Sequence, residues 1–204
     1  MLLNYDRFSS HNAAHEFVEL NLLGPTVWLA GGALRSVIGN EYISDYDLFF
    51  GYEMSSETDV ESIELVRKPN VLVEEKLIEA GFKVVFKCPV GKLTTLKRGT
   101  MKIQLITEQT YGNMRELIDS FDISACRYVT NGKVILTTYS TVRDTLKKHI
   151  NLHRVDYPVA TMKRIAKYIQ KGYALNTKAA ESLVNEVYEK GRRGEELNRR
   201  VYID

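Results

Sequence analysis

Two stretches of the chain place chemistry-bearing residues at informative distances. The first is Thr26-Val27-Trp28-Leu29-Ala30-Gly31-Gly32-Ala33-Leu34-Arg35, and the second is Ser44-Asp45-Tyr46-Asp47-Leu48-Phe49-Phe50. In the first, an apolar β-branched run reads as a strand that ends in two glycines, where a backbone can approach a ligand without a Cβ in the way. A short helix opens there, so unpaired N–H groups and the positive dipole end meet at one spot, which suits a triphosphate. Arg35, about one turn in, adds a guanidinium to that seat. In the second stretch, Asp45 and Asp47 are two apart on a strand, so both carboxylates project from one face. Two hard oxygen donors side by side suit Mg²⁺ or Mn²⁺, with phosphate oxygens and water completing the shell. Ser44, next to the pair, joins the nucleotide-binding set of Gly31, Gly32 and Arg35. A phosphate cradle beside a metal pair is apparatus for moving a nucleotidyl group.

The elements that must position these residues follow from periodicity. Ala13 to Leu22 has helical spacing and stops at Gly24-Pro25. Thr26 to Ala30 reads as a strand, Ala33 to Ile38 as a short helix closed by Gly39-Asn40, and Asp45 to Phe50 as a second strand. Val71 to Ala80 is helical. Phe82 to Phe86 and Met101 to Ile106 are strands, and Met114 to Ile118 is a short helix. Lys133 to Thr137 is a strand after the Asn131-Gly132 turn. Helices follow over Thr141 to Ile150, Val159 to Gln170 and Thr177 to Lys190. Strands interleaved with helices, then a helical end, predict a mixed α+β fold: a mixed sheet flanked by helices, residues 1–139, with a small helical extension, residues 140–204.

The 204 residues are 44% hydrophobic and 26% charged with a net charge of +2, values of a globular chain that buries a core. That balance excludes a polycationic coat and an acidic disordered tail. Two cysteines, Cys88 and Cys126, are too few for a disulfide scaffold or a four-thiolate zinc site. With no long apolar run and no signal-like N-terminus, a cytoplasmic protein is expected. The charge is uneven along the chain. Residues 53–79 carry eight acids and three bases, net −5, whereas residues 143–178 carry nine bases and two acids, net +7. The basic segment reads as a solvated helix face or as a surface for a polyanion.

Gly31-Gly32-Ala33-Leu34-Arg35-Ser36 followed by Ser44-Asp45-Tyr46-Asp47-Leu48 resembles the signature of the polymerase-β-like nucleotidyltransferase superfamily. Within it, the CCA-adding enzyme and poly(A) polymerase branch is the most similar. Phe121-Asp122-Ile123-Ser124-Ala125-Cys126 resembles that branch's ribose-contacting segment. Arg143-Asp144-Thr145-Leu146-Lys147-Lys148-His149-Ile150 and Arg164 to Tyr173 resemble its following helices, in the same order. The resemblance covers about Val27 to Leu175. It implies a metal-dependent enzyme that moves a nucleoside monophosphate from a nucleoside triphosphate such as ATP to an acceptor hydroxyl, with a tRNA-like RNA 3′ end as acceptor. Asp45 and Asp47 would hold Mg²⁺ or Mn²⁺, Asp122 would sit by the sugar, and Arg164 and Lys167 would reach the nucleotide. Short stand-alone versions of this kind resemble ones from bacteriophages.

Three departures from the pattern matter. Ser36 replaces an Asp, and Ser120-Phe121 replaces a pair of arginines ahead of Asp122. On Lys102 to Ile106, the strand matching the one that often bears a third carboxylate, Gln104 offers a carbonyl oxygen but no charge. Asp122 or Asp119 could supply that charge, one metal could suffice, or the domain could be a binding module for nucleotide, RNA or protein without turnover. Other motifs carry less. His11 with His15, and His149 with His153, have helical spacing but no third ligand. Val90-Gly91-Lys92-Leu93-Thr94 lacks the first Gly and the Ser or Thr of a phosphate loop.

Overall fold

The computed structural model describes residues 1–4, 17, 20–52 and 68–197. Among the described residues the strands are β1 (Leu2–Asn4), β2 (Val27–Ala30), β3 (Tyr46–Gly51), β4 (Lys83–Lys87), β5 (Leu93–Arg98), β6 (Met101–Tyr111), β7 (Val129–Thr130), β8 (Val134–Leu136), β9 (His149–Ile150) and β10 (Ala174–Leu175). Helices are α1 (Gly32–Ile38), α2 (Lys68–Glu79), α3 (Met114–Asp119), α4 (Tyr139–Leu146), α5 (Pro158–Gln170) and α6 (Thr177–Arg193). Eight strands form one sheet in the order β1-β8-β7-β2-β3-β6-β5-β4, and β9 and β10 form a small parallel pair. Within the large sheet β3 and β6 run parallel, and every other neighbouring pair is antiparallel. The sheet is therefore mixed, as the sequence predicts.

Alternation along the central strands sorts side chains to two faces. Leu29, Leu48, Phe50, Ile103 and Leu105 pack with Leu34 of α1 and with Val73 and Leu77 of α2. Trp28, Phe49 and Ile106 point the other way, against Leu117 and Ile118 of α3. Leu48 and Leu105, partners in the β3–β6 ladder, are fully buried. Each such side chain contributes about 1.5–3 kcal/mol. A third cluster joins Ile123 and Ala125 to Ile165 and Tyr168 of α5, Tyr173, and Leu183 of α6. The sheet's apolar faces thus end where the helical part begins.

Local chemistry fixes the helix ends. Asn113 caps α3 by accepting from the Glu116 N–H at 2.9 Å, and Glu116 reaches back to the Gly112 N–H at 2.8 Å. The pairing is a variant of the capping box in which Glu116 accepts from the residue before the cap. Thr138 caps α4, Pro158 opens α5, and left-handed Gly194 closes α6. Among the described residues no helix is long and apolar enough to cross a membrane.

Several expectations are revised. The helix expected to run to Ile150 ends at Leu146, and His149-Ile150 instead pair with Ala174-Leu175 as strands. Lys148 takes a left-handed φ of 51°, which helical periodicity does not reveal. The strand expected to end at Ile106 continues to Tyr111 across a register shift between Phe49 and Phe50 of its partner. Val90 to Thr94, set aside as a phosphate loop, is the β4–β5 turn and the start of β5. Most of the helix expected over Ala13 to Leu22, with His11 and His15, lies outside the described residues, as does most of the acidic segment.

Candidate nucleotide and metal site

Every site residue expected from the sequence lines one cavity: Gly31, Gly32, Arg35, Ser44, Asp45, Asp47, Asp122, Arg164 and Lys167. The convergence starts at the end of β2. Gly31 has φ 79°, a backbone state that favours glycine, and its N–H donates to the Tyr128 carbonyl at 3.0 Å. A Cβ built on Gly31 would stand 4.0 Å from Asp47 Oδ2 and 3.8 Å from the Phe121 ring. In the antiparallel β2–β3 ladder Ala30 is the partner of Asp47, which sets the acid beside the glycine turn.

Asp45 and Asp47 share the cavity face with Phe49, two positions on. Asp45 accepts from the Ser44 hydroxyl at 2.9 Å and pairs with Lys102 Nζ at 3.0 Å. Burial, then the neighbouring Asp45 carboxylate, pushes the Asp47 pKa up to about 8, against the pull of Lys167 and Lys102. Two carboxylates two positions apart on one strand face form a donor set that fits a hard divalent cation. Among the described residues no group of three His, Cys, Asp or Glu side chains gathers for a metal. A cation here would take its remaining ligands from substrate phosphate and water. Gln104 is the register partner of Asp47 on β6 and lies on the same sheet face, but it does not line the cavity. Asp119, the other candidate for the missing charge, is bound by Arg115 at 2.8 Å and by Arg127.

Arg35 is 1% exposed, yet it faces the cavity. Its Nη2 bonds the Ser36 hydroxyl at 2.6 Å and pairs with Glu41 at 3.3 Å. The guanidinium lies over the Tyr168 ring at 4.7 Å and the Tyr173 ring at 5.5 Å. Its Nε and Nη1 have no hydrogen-bond partner. Buried donors are normally satisfied, so these two N–H groups ask for an acceptor.

The Asp122 segment and α5 (Pro158–Gln170) supply further lining. Asp122 accepts from Thr161 Oγ1 at 2.7 Å and from Arg164 Nε at 2.9 Å, and its own Oδ1 takes the Ile123 N–H. Phe121 leaves no guanidinium ahead of Asp122, and Arg164 of α5 brings one from elsewhere in the chain. Lys171, half-buried just past α5, has its pKa lowered by burial and by the Arg35 and Lys167 charges. Cys126 lies 2.7 Å from the Tyr168 hydroxyl, and burial raises its thiol pKa.

Sequence reading missed Lys102, Tyr168, Glu108 and Tyr111. Lys102 had a signal, its position two before Gln104 on one strand. Tyr168 and Tyr173 sat within a quoted motif, but nothing local shows that they stack on Arg35 from more than 130 positions away.

The fold has counterparts among solved structures. A CCA-adding enzyme in complex with ATP matches with a TM-score of 0.67 at 13% identity, over 95% of this chain and 48% of that one. A CCA-adding enzyme in complex with CTP gives 0.65 at 15% identity, over 94% and 46%. The Thermotoga maritima CCA-adding enzyme complexed with tRNA gives 0.64 at 12%, over 93% and 46%. At these identities the likeness is one of fold, a nucleotidyltransferase-like fold, and the chain spans about half the length of these enzymes. No curated protein matches the sequence. Residues 5–148, well over half of the chain, match the Gad2 profile, described as Gabija anti-defense 2 family protein. The chain belongs to the Gabija anti-defense 2 family.

Proposed function

We propose that the protein is a metal-dependent nucleotidyltransferase that moves a nucleoside monophosphate from a nucleoside triphosphate to an acceptor hydroxyl. The observation that carries this reading is the meeting of Gly31 and Asp47, with Asp47 Oδ2 only 4.0 Å from the place of a Gly31 Cβ. A side chain there would fill the gap between the phosphate seat and the carboxylates. Asp45 and Asp47 would hold Mg²⁺ or Mn²⁺, which supplies charge neutralisation on the phosphates and favours ionisation of the attacking hydroxyl. The unpartnered Nε and Nη1 of Arg35, with Lys167, would take phosphate oxygens, and Asp122, held by Thr161 and Arg164, would face the sugar. Catalysis would then be mostly positioning and electrostatics.

The ATP, CTP and tRNA named for the solved enzymes support a triphosphate donor, and they add an RNA 3′ end to the acceptor classes, in line with the basic segment. Membership of an anti-defense family sets this reading in a counter-defence context. Gln104 in place of a third carboxylate favours a second reading, a nucleotide-binding module without turnover.

One experiment separates the two. The protein and its Asp47→Asn variant are incubated with each α-labelled triphosphate, Mg²⁺ or Mn²⁺, total RNA and total protein. Transfer that the variant loses supports the transferase. Triphosphate binding without transfer to any acceptor supports the module.

A further inference from the structure

We infer that the acceptor is a hydroxyl side chain of a polypeptide, flanked by apolar and basic residues, rather than the end of a nucleic acid. This rests on the transferase reading and names the acceptor for that same site. The lining of the cavity around Asp45 and Asp47 falls into two chemically distinct sets, here called wings. One wing, from α1 and from α5 with the turn after it, contributes all of the lining cations among the described residues: Arg35, Arg164, Lys167 and Lys171. The other, from the ends of β3 and β6 and the start of the Asp122 segment, contributes Phe49, Ile106, Glu108, Tyr111, Ser120 and Phe121.

Three rings line the second wing. Phe49 packs edge-on against Tyr111 at 6.3 Å and against Phe121 at 5.7 Å. Its formal charge is Glu108, with a side chain 12% exposed, whose Oε1 pairs with Lys92 at 3.2 Å. Nearby on the chain, Arg115 and Arg127 are both committed to Asp119. Lys92 lies outside the lining, so Glu108 is the charge this wing presents to the cavity; the wing suits aliphatic or aromatic groups beside a cation and offers no cation of its own to a phosphodiester. Part of the basic segment is also paired internally. Within the basic segment Arg143 pairs with Asp144, Lys148 with Glu41, Arg154 with Asp156 and Arg164 with Asp122. The cationic wing suits the triphosphate, and in-line displacement asks for an acceptor away from the leaving pyrophosphate, for which the aromatic wing is the remaining lining.

In the step itself the acceptor oxygen forms a bond to the α-phosphorus while the α–β phosphoanhydride P–O bond breaks. Pyrophosphate leaves with that electron pair, and the hydroxyl proton passes to a carboxylate of the pair or to water. The product is a nucleoside monophosphate joined to the side chain through a phosphodiester.

The test uses the full chain, Mn²⁺ and the α-labelled triphosphates. Its acceptors are peptides bearing Ser, Thr or Tyr flanked by Leu and Arg, the same peptides with Glu for Arg, and an RNA oligonucleotide ending in a 3′ hydroxyl. Basic peptides are expected to be labelled at least about tenfold faster than acidic ones or RNA. The double variant Lys92→Glu/Glu108→Lys keeps the ion pair and reverses its polarity, and should move the preference toward acidic peptides by about tenfold. Label on RNA in preference to peptides would sink the peptide acceptor while leaving the transferase intact. Equal labelling of basic and acidic peptides would also overturn it. Bound triphosphate with no label on any acceptor would remove the transferase reading, and this inference with it.

Discussion

Gln104 on β6 stands directly across from Asp47 on β3 in the parallel ladder, one strand away on the same sheet face. A carboxylate at this position would add a negative charge beside the pair, where the native amide adds none. Gln104→Glu is therefore expected to tighten Mn²⁺ binding about tenfold, measured by titration calorimetry in the presence of a non-hydrolysable triphosphate. Unchanged or weaker binding would show that this strand position lies outside the reach of the ion.

Asp47 is buried beside Asp45, which costs stability where its carboxyl is ionised. Its pKa, raised from 3.8 to about 8, means that the folded state holds the proton more tightly than the unfolded chain does. Its contribution is therefore fully present below pH 3.8, is lost progressively as pH rises toward about 8, and is flat above that. In a metal chelator at pH 8, Asp47→Asn should raise Tm by about 2–5 °C while reducing transfer by at least about a thousandfold. A fall in Tm would mean that the carboxylate is stabilised by partners stronger than Lys102 and Lys167.

Arg35 joins the cradle helix to the helical extension through Glu41, Tyr168 and Tyr173. Removing it leaves Glu41 less compensated and opens a space between two rings. Arg35→Ala should cost about 3–5 kcal/mol in denaturant unfolding and abolish triphosphate binding. Arg35→Met keeps much of the stacking volume, so it should recover a substantial part of the stability and none of the binding. Binding retained by the Met variant would show that the two unpartnered N–H groups are not the phosphate contacts.

Gly51 ends β3 against Trp28. A Cβ there would fall 2.5 Å from Trp28 Cη2 and 3.2 Å from the Tyr111 carbonyl. Neither the indole, held by its N–H to the Pro25 carbonyl at 2.9 Å, nor the backbone can yield cheaply. Gly51→Ala should lower stability by about 1–3 kcal/mol and Tm by several degrees. A neutral result would show that Trp28 has room to move.

The chain's local chemistry determined which residues could act. Gly31-Gly32, Arg35 and the Asp45/Asp47 alternation read locally as a glycine turn with a guanidinium and a pair of carboxylates because strand period, glycine freedom and side-chain type are properties of a few neighbouring residues. Most helices were legible for the same reason, with boundaries shifted by a few positions. Tertiary structure decided what the sequence left open. β3 and β6 are some fifty residues apart in the chain, and only their parallel register shows that Lys102 reaches Asp45 and that Gln104 faces Asp47. Only the docking of α5 lets Arg164 meet Asp122 and Tyr168 cover Arg35. The split of the cavity into a cationic and an aromatic wing has the same origin. Such pairings are set by packing and long-range hydrogen bonding, in which residues far apart in the chain become neighbours and commit one another's charges.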